Sequence, residues 1–264
     1  MAEHTSERIE IDGCGIEVLR GGKGPALVFL HGAGGAHAWA PYMDRLAEHY
    51  TLHVPSHPGY GRSDTPDWLD GIGDLAYFYL DYLERVGDEA GGRVHLVGNS
   101  LGGWLALEIA VRSTARISTL TLVGSAGIHV AGVPKGDIFL WGDEERVRNT
   151  YFDQSLAEAR LAQQGDEEQT DISLKNHFTT AKLAWSPRFY NPELQKWLHR
   201  VRVPTFILWG DSDRILPPAY GEAMQSLIPG STLSILPECG HLPHQEKLDE
   251  FVAGVTAHTN GAAS

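Results

Sequence analysis

The sequence predicts an α/β protein with a mostly parallel, doubly wound sheet. Three observations support this fold class: short apolar runs alternate with longer helix-like segments, most of these runs are apolar on both faces, and two alternating segments precede them. Strands that are apolar on both faces are typical of a parallel sheet covered by helices on each side. Alternation of strand and helix implies right-handed crossovers between neighbouring parallel strands.

The individual elements follow in chain order. The segments ERIEIDG and GIEVLRGG alternate apolar and polar residues around a glycine-containing turn, so they predict an antiparallel hairpin at one edge of the sheet. Strands are predicted over residues 25–32, 51–56, 93–99, 117–125, 204–211 and 231–236. Helices are predicted between and after them, over residues 38–49, 75–86, 101–112, 219–227 and 248–256.

Residues 128–202 break this alternation. They contain no convincing strand, so they predict a helical cap inserted over the end of the sheet, with residues 1–127 and 203–264 forming the core. We expect most of the aromatic side chains of this insertion to pack it onto the core, although an apolar lid over a pocket needs the same residues. The aromatic residues are Phe139, Trp141, Tyr151, Phe152, Phe178, Trp185, Phe189, Tyr190 and Trp197.

The composition describes a globular chain suited to small molecules. Of its 264 residues, 42% are hydrophobic and 21% are charged, and the formal net charge is −13. Binding to nucleic acid depends on cationic contacts to phosphate, so this acidic balance argues against a nucleic-acid partner. We expect the partner to be a small, apolar, ester-like substrate.

Neither the cysteines nor the apolar runs indicate a metal site or a membrane protein. Cys14 and Cys239 lie far apart and lack both a disulfide framework and zinc-ligand spacing. No apolar run reaches the roughly 18 residues of a membrane span, and the polar N-terminus has no signal-peptide core. We therefore expect no metal, no cofactor, no membrane span and a cytoplasmic location.

Ser100 is the candidate nucleophile. The stretch GNSLG at residues 98–102 fits the pattern G-x-S-x-G, between an apolar strand and a helix-compatible run. A nucleophile on a tight strand–turn–helix corner crowds its neighbours, so small residues are needed two positions to either side. The corner also places the serine at a helix N-terminus, where free N–H groups stabilise a developing anion. A glycine–serine turn alone is a weak signal, and the strand–helix context supports the catalytic interpretation.

A serine hydroxyl needs a base and an orienting carboxylate. His241 follows the last predicted strand, while His244 lies on or near the closing helix. Asp211 and Asp213 both follow the preceding strand, and Asp213 reaches further into the loop. Because ligands bind beyond the carboxyl ends of parallel strands, we predict that Asp213 orients His241 beside Ser100.

The oxyanion of a tetrahedral intermediate needs hydrogen-bond donors. The stretch HGAGG at residues 31–35 follows the first parallel strand, and its glycines let the backbone approach a ligand closely. We predict that an N–H group of Ala33 or Gly34 joins that of Leu101 in an oxyanion hole. The spacing of a phosphate-binding loop is absent, and His31 is expected to be a structural hydrogen-bonding residue.

Taken together, these motifs resemble the α/β-hydrolase superfamily. They occur in that family's order and span nearly the whole chain: HG at 31–32, PGYGRS at 58–63, GNSLG at 98–102, GDSD at 210–213 and GH at 240–241. The resemblance implies the α/β-hydrolase fold, with Ser100 as nucleophile, Asp213 as acid and His241 as base. It also identifies residues 128–202 as the usual cap, and the serine excludes the family members that use an aspartate nucleophile.

The resemblance leaves three functional interpretations open. A carboxylesterase or lactonase is favoured, acting through an acyl-enzyme without a cofactor. GNSLGG and HGAGGAHAW also resemble the meta-cleavage-product hydrolases, which cut carbon–carbon bonds in ring-fission dienoates and line their substrate site with an asparagine at the position of Asn99. A third interpretation is a hydrolase-fold protein that binds a ligand without turnover. The predicted substrate contacts are Asn99, Trp104, Trp185 and Leu242.

Overall fold

A single mixed sheet forms the centre of the computed structural model, which describes residues 2–163 and 165–262. Within these residues the sheet has eight strands in the order β1-β2-β4-β3-β5-β6-β7-β8. The strands are β1 His4–Ile11, β2 Cys14–Gly21, β3 Ala26–Leu30, β4 Thr51–Pro55, β5 Val94–Asn99, β6 Ile117–Val123, β7 Thr205–Gly210 and β8 Thr232–Leu236. Four residues lie outside the described ones: residues 1, 263 and 264 at the ends of the predicted core, and residue 164 of the predicted cap.

The predicted antiparallel hairpin is confirmed. Strands β1 and β2 pair antiparallel, with Ile11 opposite Cys14, so only two residues form the turn. These are Asp12 and Gly13, with φ of 45° and 78°. An Asp-Gly pair favours this two-residue turn because its backbone twist matches that of the flanking strands. Strand β2 also pairs antiparallel with β4, and all pairs from β3 to β8 are parallel.

Helices cover both faces of the sheet, as predicted for a doubly wound fold. The helices outside the insertion are α1 Pro41–Ala47, α2 Ile72–Ala90, α3 Leu101–Arg112, α7 Ala219–Leu227, α8 Pro243–Glu246 and α9 Leu248–Gly261. Along β3, Val28 and Leu30 pack in a cluster with α2, α3 and α7, while Leu27 and Phe29 pack with α1 and α9. Strand β3 therefore buries apolar side chains on two faces, which explains its continuous apolar run.

The predicted helices differ from the observed ones mainly at their ends. Helix α1 begins three residues later than predicted, at Pro41, because proline is accommodated in the first helical turn. Helix α2 extends to Ala90 and is closed by Gly91, whose φ of 72° suits a left-handed cap. Helix α3 begins and ends as predicted, at Leu101 and Arg112.

Between β6 and β7 the chain forms the segment that we call the insertion, residues 128–202. It contains α4 Asp143–Thr150, α5 Gln154–Ala162, α6 Glu167–Ala184 and a 3₁₀ helix Gln195–Arg200. Five of its nine aromatic side chains are buried or half-buried, and Phe139 and Phe189 pack against the core. Phe178 is 71% exposed, and Phe152, Trp185 and Trp197 are exposed as well. Phe178 is exposed because the side of α6 that carries Asn176 and Thr180 faces the core.

The corner between β5 and α3 depends on glycine because backbones approach each other closely there. A Cβ atom at Gly102 would lie 2.1 Å from the carbonyl oxygen of Leu30, and one at Gly98 would lie 2.4 Å from that of Gly102. At Gly103, a Cβ would come within 2.5 Å of the Ser125 hydroxyl. Helix α3 therefore presses directly onto the ends of β3 and β5.

We expect Gly102→Ala to lower the free energy of unfolding by about 2 kcal/mol or more, since the new methyl group overlaps backbone atoms that cannot move aside. Gly92→Ala is the matched control, because a Cβ atom there meets nothing within 4 Å. Urea unfolding of both variants measures the difference. Equal stability of the two variants would contradict the close packing described for this corner.

Candidate active site

Ser100 has an unusual backbone conformation at the junction between β5 and α3. Its φ is 54° and its ψ is −114°, a region that residues other than glycine rarely adopt. Such a conformation costs about 1–3 kcal/mol and persists only when the surroundings impose it. Here the Ser100 N–H donates to the Val123 carbonyl at 2.9 Å, and the Ser100 carbonyl accepts from the N–H groups of Ala126 and Trp104 at 3.0 and 3.1 Å.

The hydroxyl of Ser100 is not used to cap α3. Serine at a helix N-terminus commonly accepts a hydrogen bond from a backbone N–H of the first turn, and Ser100 makes no such bond. Among the described residues, the N–H of Leu101 also has no hydrogen-bond partner. The serine therefore presents a free hydroxyl beside an unpaired backbone donor.

His241 and Asp213 form a buried hydrogen-bonded pair. Nδ1 of His241 lies 2.7 Å from Oδ2 of Asp213, and their side chains are 5% and 0% exposed. The other carboxylate oxygen of Asp213 accepts from the N–H groups of Ile215 and Leu216, both at 2.9 Å. With both oxygens engaged, the carboxylate has a single orientation toward the imidazole.

Asp211, the competing carboxylate, faces a different set of partners. It is exposed, and its Oδ1 accepts from the Ser212 hydroxyl at 2.7 Å and from the Cys239 N–H at 3.4 Å. These contacts lower the pKa of Asp211, with the Ser212 hydrogen bond as the largest cause. Asp211 therefore shapes the loop, and Asp213 is the residue that contacts His241.

The segment that follows β6 connects the histidine to the serine. Val123 and Ala126 are hydrogen-bonded to Ser100, and Gly124 lies between them. A Cβ atom at Gly124 would lie 3.3 Å from Nδ1 of His241, so the imidazole packs against this backbone. Ser100 and His241 thus both contact the short segment 123–126, at the carboxyl ends of the parallel strands. The described structure has no hydrogen bond between the Ser100 hydroxyl and the imidazole.

The insertion holds the loop that carries His241. The N–H of His241 donates to the Thr150 carbonyl at 2.8 Å. The carboxylate of Glu246 accepts from the Gly240 N–H at 2.9 Å and from the Phe152 N–H at 2.7 Å. Burial raises the pKa of Glu246, while these N–H donors lower it. Glu246 therefore links the histidine loop directly to the end of α4.

The loop after β3 has three successive carbonyl groups held by side chains. The carbonyl of Gly32 accepts from Nδ1 of His31 at 2.8 Å. The next two carbonyls, of Ala33 and Gly34, accept from α6: Thr180 donates to Ala33 at 3.2 Å, and Asn176 donates to Gly34 at 2.9 Å. Among the described residues, the N–H groups of Ala33 and Gly34 have no partner. This loop therefore offers two unpaired donors on a fixed backbone.

The hydrogen bonds of His31 define its tautomer. Its Nε2 accepts from the backbone N–H of His57 at 3.0 Å, so the proton resides on Nδ1, which donates to Gly32. By the same reasoning, Nε2 of His57 donates to the His31 carbonyl at 3.1 Å, and its Nδ1 accepts from the Tyr79 hydroxyl at 2.5 Å. Burial lowers the pKa of His31 to about 4 and that of His57 well below its usual value.

The predicted substrate contacts differ in burial and in hydrogen-bond partners. The Asn99 side chain is buried and donates to the Val123 carbonyl at 3.0 Å, which is the contact of a turn residue. Trp104 is 2% exposed, and its indole donates to Glu108 at 3.1 Å. Leu242 directly follows His241, while Trp185 is 51% exposed and stacks on Arg188 at 3.7 Å.

Sequence reasoning missed the residues of α6 that contact the loops of the core. Besides Asn176 and Thr180, Thr179 donates to the Gly59 carbonyl at 2.6 Å, and Lys175 donates to the Ser63 carbonyl at 2.6 Å. A signal was present, because the polar residues at 176, 179 and 180 share helical spacing with the apolar positions 172 and 183. Polar residues at such positions indicate a helix side with hydrogen-bond partners.

Comparison with known proteins agrees with this geometry. The model of the alpha/beta hydrolase family matches residues 27–254, which is most of the chain. The chain belongs to that family. The match runs from β3 into α9, so it includes the serine corner, the insertion, the carboxylate loop and the histidine loop.

The relatives of the hydrolase include a dienoate hydrolase, a methyl ester esterase and a phospholipase. The chain is 30% identical to a 2-hydroxy-6-oxo-2,4-heptadienoate hydrolase of Pseudomonas putida, over 88% of this chain and 87% of the relative. It is 29% identical to a pimeloyl-[acyl-carrier protein] methyl ester esterase of Nitrosomonas europaea, over 90% and 97%. The crystal structure of a membrane phospholipase A, a bacterial virulence factor, is 25% identical and superposes with a TM-score of 0.80, covering 99% of this chain and 87% of that one.

The described residues of the hydrolase lack two further features. None of the helices there has the length and apolar character needed to cross a membrane. The same residues contain no group of three or more His, Cys, Asp or Glu side chains arranged to hold a metal ion.

We expect the buried, neutral His31 to make the hydrolase less stable in acid. Folding lowers the pKa of His31 from 6.5 to about 4, so stability is fully present above pH 6.5 and is lost as pH falls through about 4. The loss from this one residue amounts to about 3 kcal/mol.

The measurement is the free energy of unfolding between pH 7 and pH 4 for the wild type and for His31→Asn, whose amide can still donate to Gly32. The difference between the two curves isolates His31 from the other buried histidines. The difference in free energy of unfolding between the wild type and His31→Asn should shrink as pH falls. Two parallel curves would be inconsistent with the lowered pKa of His31.

Proposed function

We propose that this hydrolase cleaves small carboxylic esters or lactones through an acyl-enzyme, with Ser100, His241 and Asp213 as its catalytic triad. The observation that carries the proposal is the buried hydrogen bond of 2.7 Å between Asp213 and His241, beside a serine in a strained corner. A surface histidine needs no buried carboxylate, and a turn serine needs no left-handed backbone. Both features suit an activated nucleophile.

The first half of the reaction forms the acyl-enzyme. Nε2 of His241 removes the proton of the Ser100 hydroxyl while its oxygen attacks the acyl carbonyl. Asp213 accepts the Nδ1–H of the imidazole, keeps it in the required tautomer and stabilises the imidazolium. The hydrogen bond between serine and imidazole is the one that the described structure lacks, and such bonds often tighten only when substrate is bound.

The second half releases the products. The tetrahedral intermediate breaks down when the protonated His241 gives its proton to the leaving alcohol. Water then attacks the acyl carbonyl, His241 takes a proton from that water, and the acid leaves as Ser100 regains its proton. The N–H groups of Leu101 and of Ala33 or Gly34 would hold the oxyanion in both steps, since all three donors lack partners among the described residues.

A second candidate, cleavage of a carbon–carbon bond in a ring-fission dienoate, is favoured by one observation. The dienoate hydrolase of Pseudomonas putida and the esterase of Nitrosomonas europaea resemble this chain about equally, at 30% and 29% identity. We rank the ester first because Nδ2 of Asn99 donates to the Val123 carbonyl, a contact that suits a turn residue.

The insertion is proposed to act as the cap of the site, with residues 1–127 and 203–264 as the core. In support, α6 is hydrogen-bonded to the loop after β3, and Thr150 is hydrogen-bonded to the His241 backbone. Substrate would therefore enter between the insertion and the sheet. A cytoplasmic location belongs to this proposal as well and rests on the sequence alone.

Ser100→Ala is expected to reduce kcat/KM for a p-nitrophenyl ester by about 10⁴-fold or more, because no other group can form the acyl-enzyme. Asp213→Asn should cause a loss of similar size, since the amide favours the wrong tautomer of His241. Asp211→Asn is the matched control, because Asp211 lies in the same loop and does not contact His241, and it should retain activity.

Labelling with a fluorophosphonate separates an enzyme from a ligand-binding protein of the same fold. The wild type should react at Ser100, and Ser100→Ala should not. A wild type that neither labels nor hydrolyses any ester would show that the pocket binds without turnover. Activity that survives in Ser100→Ala would disprove the assignment of the nucleophile.

A substrate panel decides between ester and carbon–carbon cleavage. We expect kcat/KM for short-chain esters or lactones to exceed that for a ring-fission dienoate by about tenfold or more, because Nδ2 of Asn99 is hydrogen-bonded to the backbone. Wild type and Ser100→Ala are assayed side by side on every substrate, so that background hydrolysis is subtracted. A preference for the dienoate would reverse the ranking.

A further inference from the structure

We propose that Thr180, on the inward side of α6, is a positioning residue that sets the direction of the Gly34 N–H, one of the candidate oxyanion donors. The proposal rests on the proposed function, because it assigns a role to that N–H group in the reaction. It adds a residue of the insertion to those that control catalysis.

The geometry of the peptide bond couples each carbonyl of the loop to the next N–H group. A peptide unit is planar and trans, so its C=O and N–H point in opposite directions and holding one fixes the other. The Gly32 carbonyl, held by His31, fixes the N–H of Ala33. The Ala33 carbonyl, held by Thr180, fixes the N–H of Gly34. With the peptide planes on both sides fixed, Ala33 cannot rotate about φ or ψ.

The hydroxyl of Thr180 is committed to this contact. Its proton goes to the Ala33 carbonyl, which can only accept, so the Tyr60 hydroxyl at 2.8 Å must donate to Thr180. Thr180 is 1% exposed and Tyr60 is fully buried, so water cannot replace either partner. Burial raises the pKa of Tyr60, and the phenol therefore remains a donor.

Asn176 completes the attachment of the loop to α6. Its Nδ2 donates to the Gly34 carbonyl and its Oδ1 accepts from the Gly61 N–H, both at 2.9 Å. A Cβ atom at Gly35 would lie 2.5 Å from Nδ2 of Asn176, so the amide packs directly against the loop backbone. The side chain is 3% exposed, and both ends of its amide are satisfied by backbone.

This arrangement predicts an effect on the transition state and not on substrate binding. Oxyanion donors act on charge that develops during the reaction, so loosening them lowers kcat and leaves KM nearly unchanged. Removal of one donor from an oxyanion hole costs about 10²–10³ in kcat. Loss of its orientation should cost less, about 10- to 100-fold.

The test uses Thr180→Val, Thr180→Ser and the control Thr179→Val. Thr179 is its neighbour on α6, is equally buried, and donates to the Gly59 carbonyl outside the oxyanion loop. Thr180→Val should lower kcat for the ester by 10- to 100-fold with KM within about twofold. Thr180→Ser should restore kcat. Thr179→Val should lose thermal stability to a similar extent and keep wild-type kcat.

Equal kcat values for Thr180→Val and Thr179→Val would overturn the proposal, because both substitutions remove one buried hydroxyl. If Thr180→Val does not fold, Thr180→Ala replaces it, since alanine also lacks the hydroxyl that donates to the Ala33 carbonyl. Its kcat must then fall in the same way. Affinity for a trifluoromethyl ketone, which binds as an oxyanion, should fall in parallel with kcat/KM.

A measurement without turnover separates this proposal from the proposed function. The ¹⁵N–¹H chemical shift of Gly34 should change in Thr180→Val and remain unchanged in Thr179→Val. If the wild type shows no Ser100-dependent hydrolysis, the proposed function fails and the Gly34 shift still reports whether Thr180 holds the loop. If hydrolysis is normal and both variants leave Gly34 and kcat unchanged, only the positioning role fails.

Discussion

The backbone of Ser100, held at a φ of 54°, is the constraint on which the rest of the site depends. A serine in this conformation turns the chain sharply from β5 into α3, and the turn brings α3 against the ends of two strands. Only glycine fits at Gly98 and Gly102, where a Cβ would overlap backbone atoms. The hydrogen bonds to Val123 and Ala126 then anchor the corner to the segment on which His241 packs. Contacts with the ends of β3, β5 and β6 thus hold Ser100 in its conformation.

A network of neutral polar side chains surrounds this corner. His31 and His57 lie with their ring centroids 3.7 Å apart, and Tyr79 and Tyr60 extend the network to α2 and to Thr180. In a buried region of low dielectric constant, each of these hydrogen bonds is costly to lose, and a fully satisfied network rigidifies what it contacts. The loop after β3 is therefore supported from the core by His31 and from the insertion by α6.

The fold and the triad residues were predictable because they depend on local sequence and on strand order. Ser100, Asp213 and His241 each follow a strand, and parallel strands bring their carboxyl ends to one edge. The contact of Asp213 with His241 agrees with the sequence-based choice of Asp213, although its two backbone donors, Ile215 and Leu216, are visible only in three dimensions. The triad roles themselves stay predictions.

The buried side of α6 is hard to recognise from sequence because it mixes apolar and polar residues. Asn176 and Thr180 face the core on the same side as Ile172 and Leu183, while Leu174 and Phe178 are 62% and 71% exposed. Apolar residues therefore occur on both sides of the helix, and their periodicity alone does not identify the buried side. The placement of Trp104 in the interior was equally hidden, since a tryptophan that follows a nucleophile can pack in the core or line a pocket.

The polar contacts of α6 with the core also influence how the amino-acid sequence of the insertion can vary. A contact made by apolar area can slide along a surface with little change in energy, whereas hydrogen bonds have direction and permit a single register. Hydrogen bonds from Asn176 and Thr180 fix the position of α6 on the core. The exposed side of the helix, with Leu174 and Phe178, takes no part in this contact. The outer surface of the insertion is consequently free to diversify while its attachment to the core stays the same.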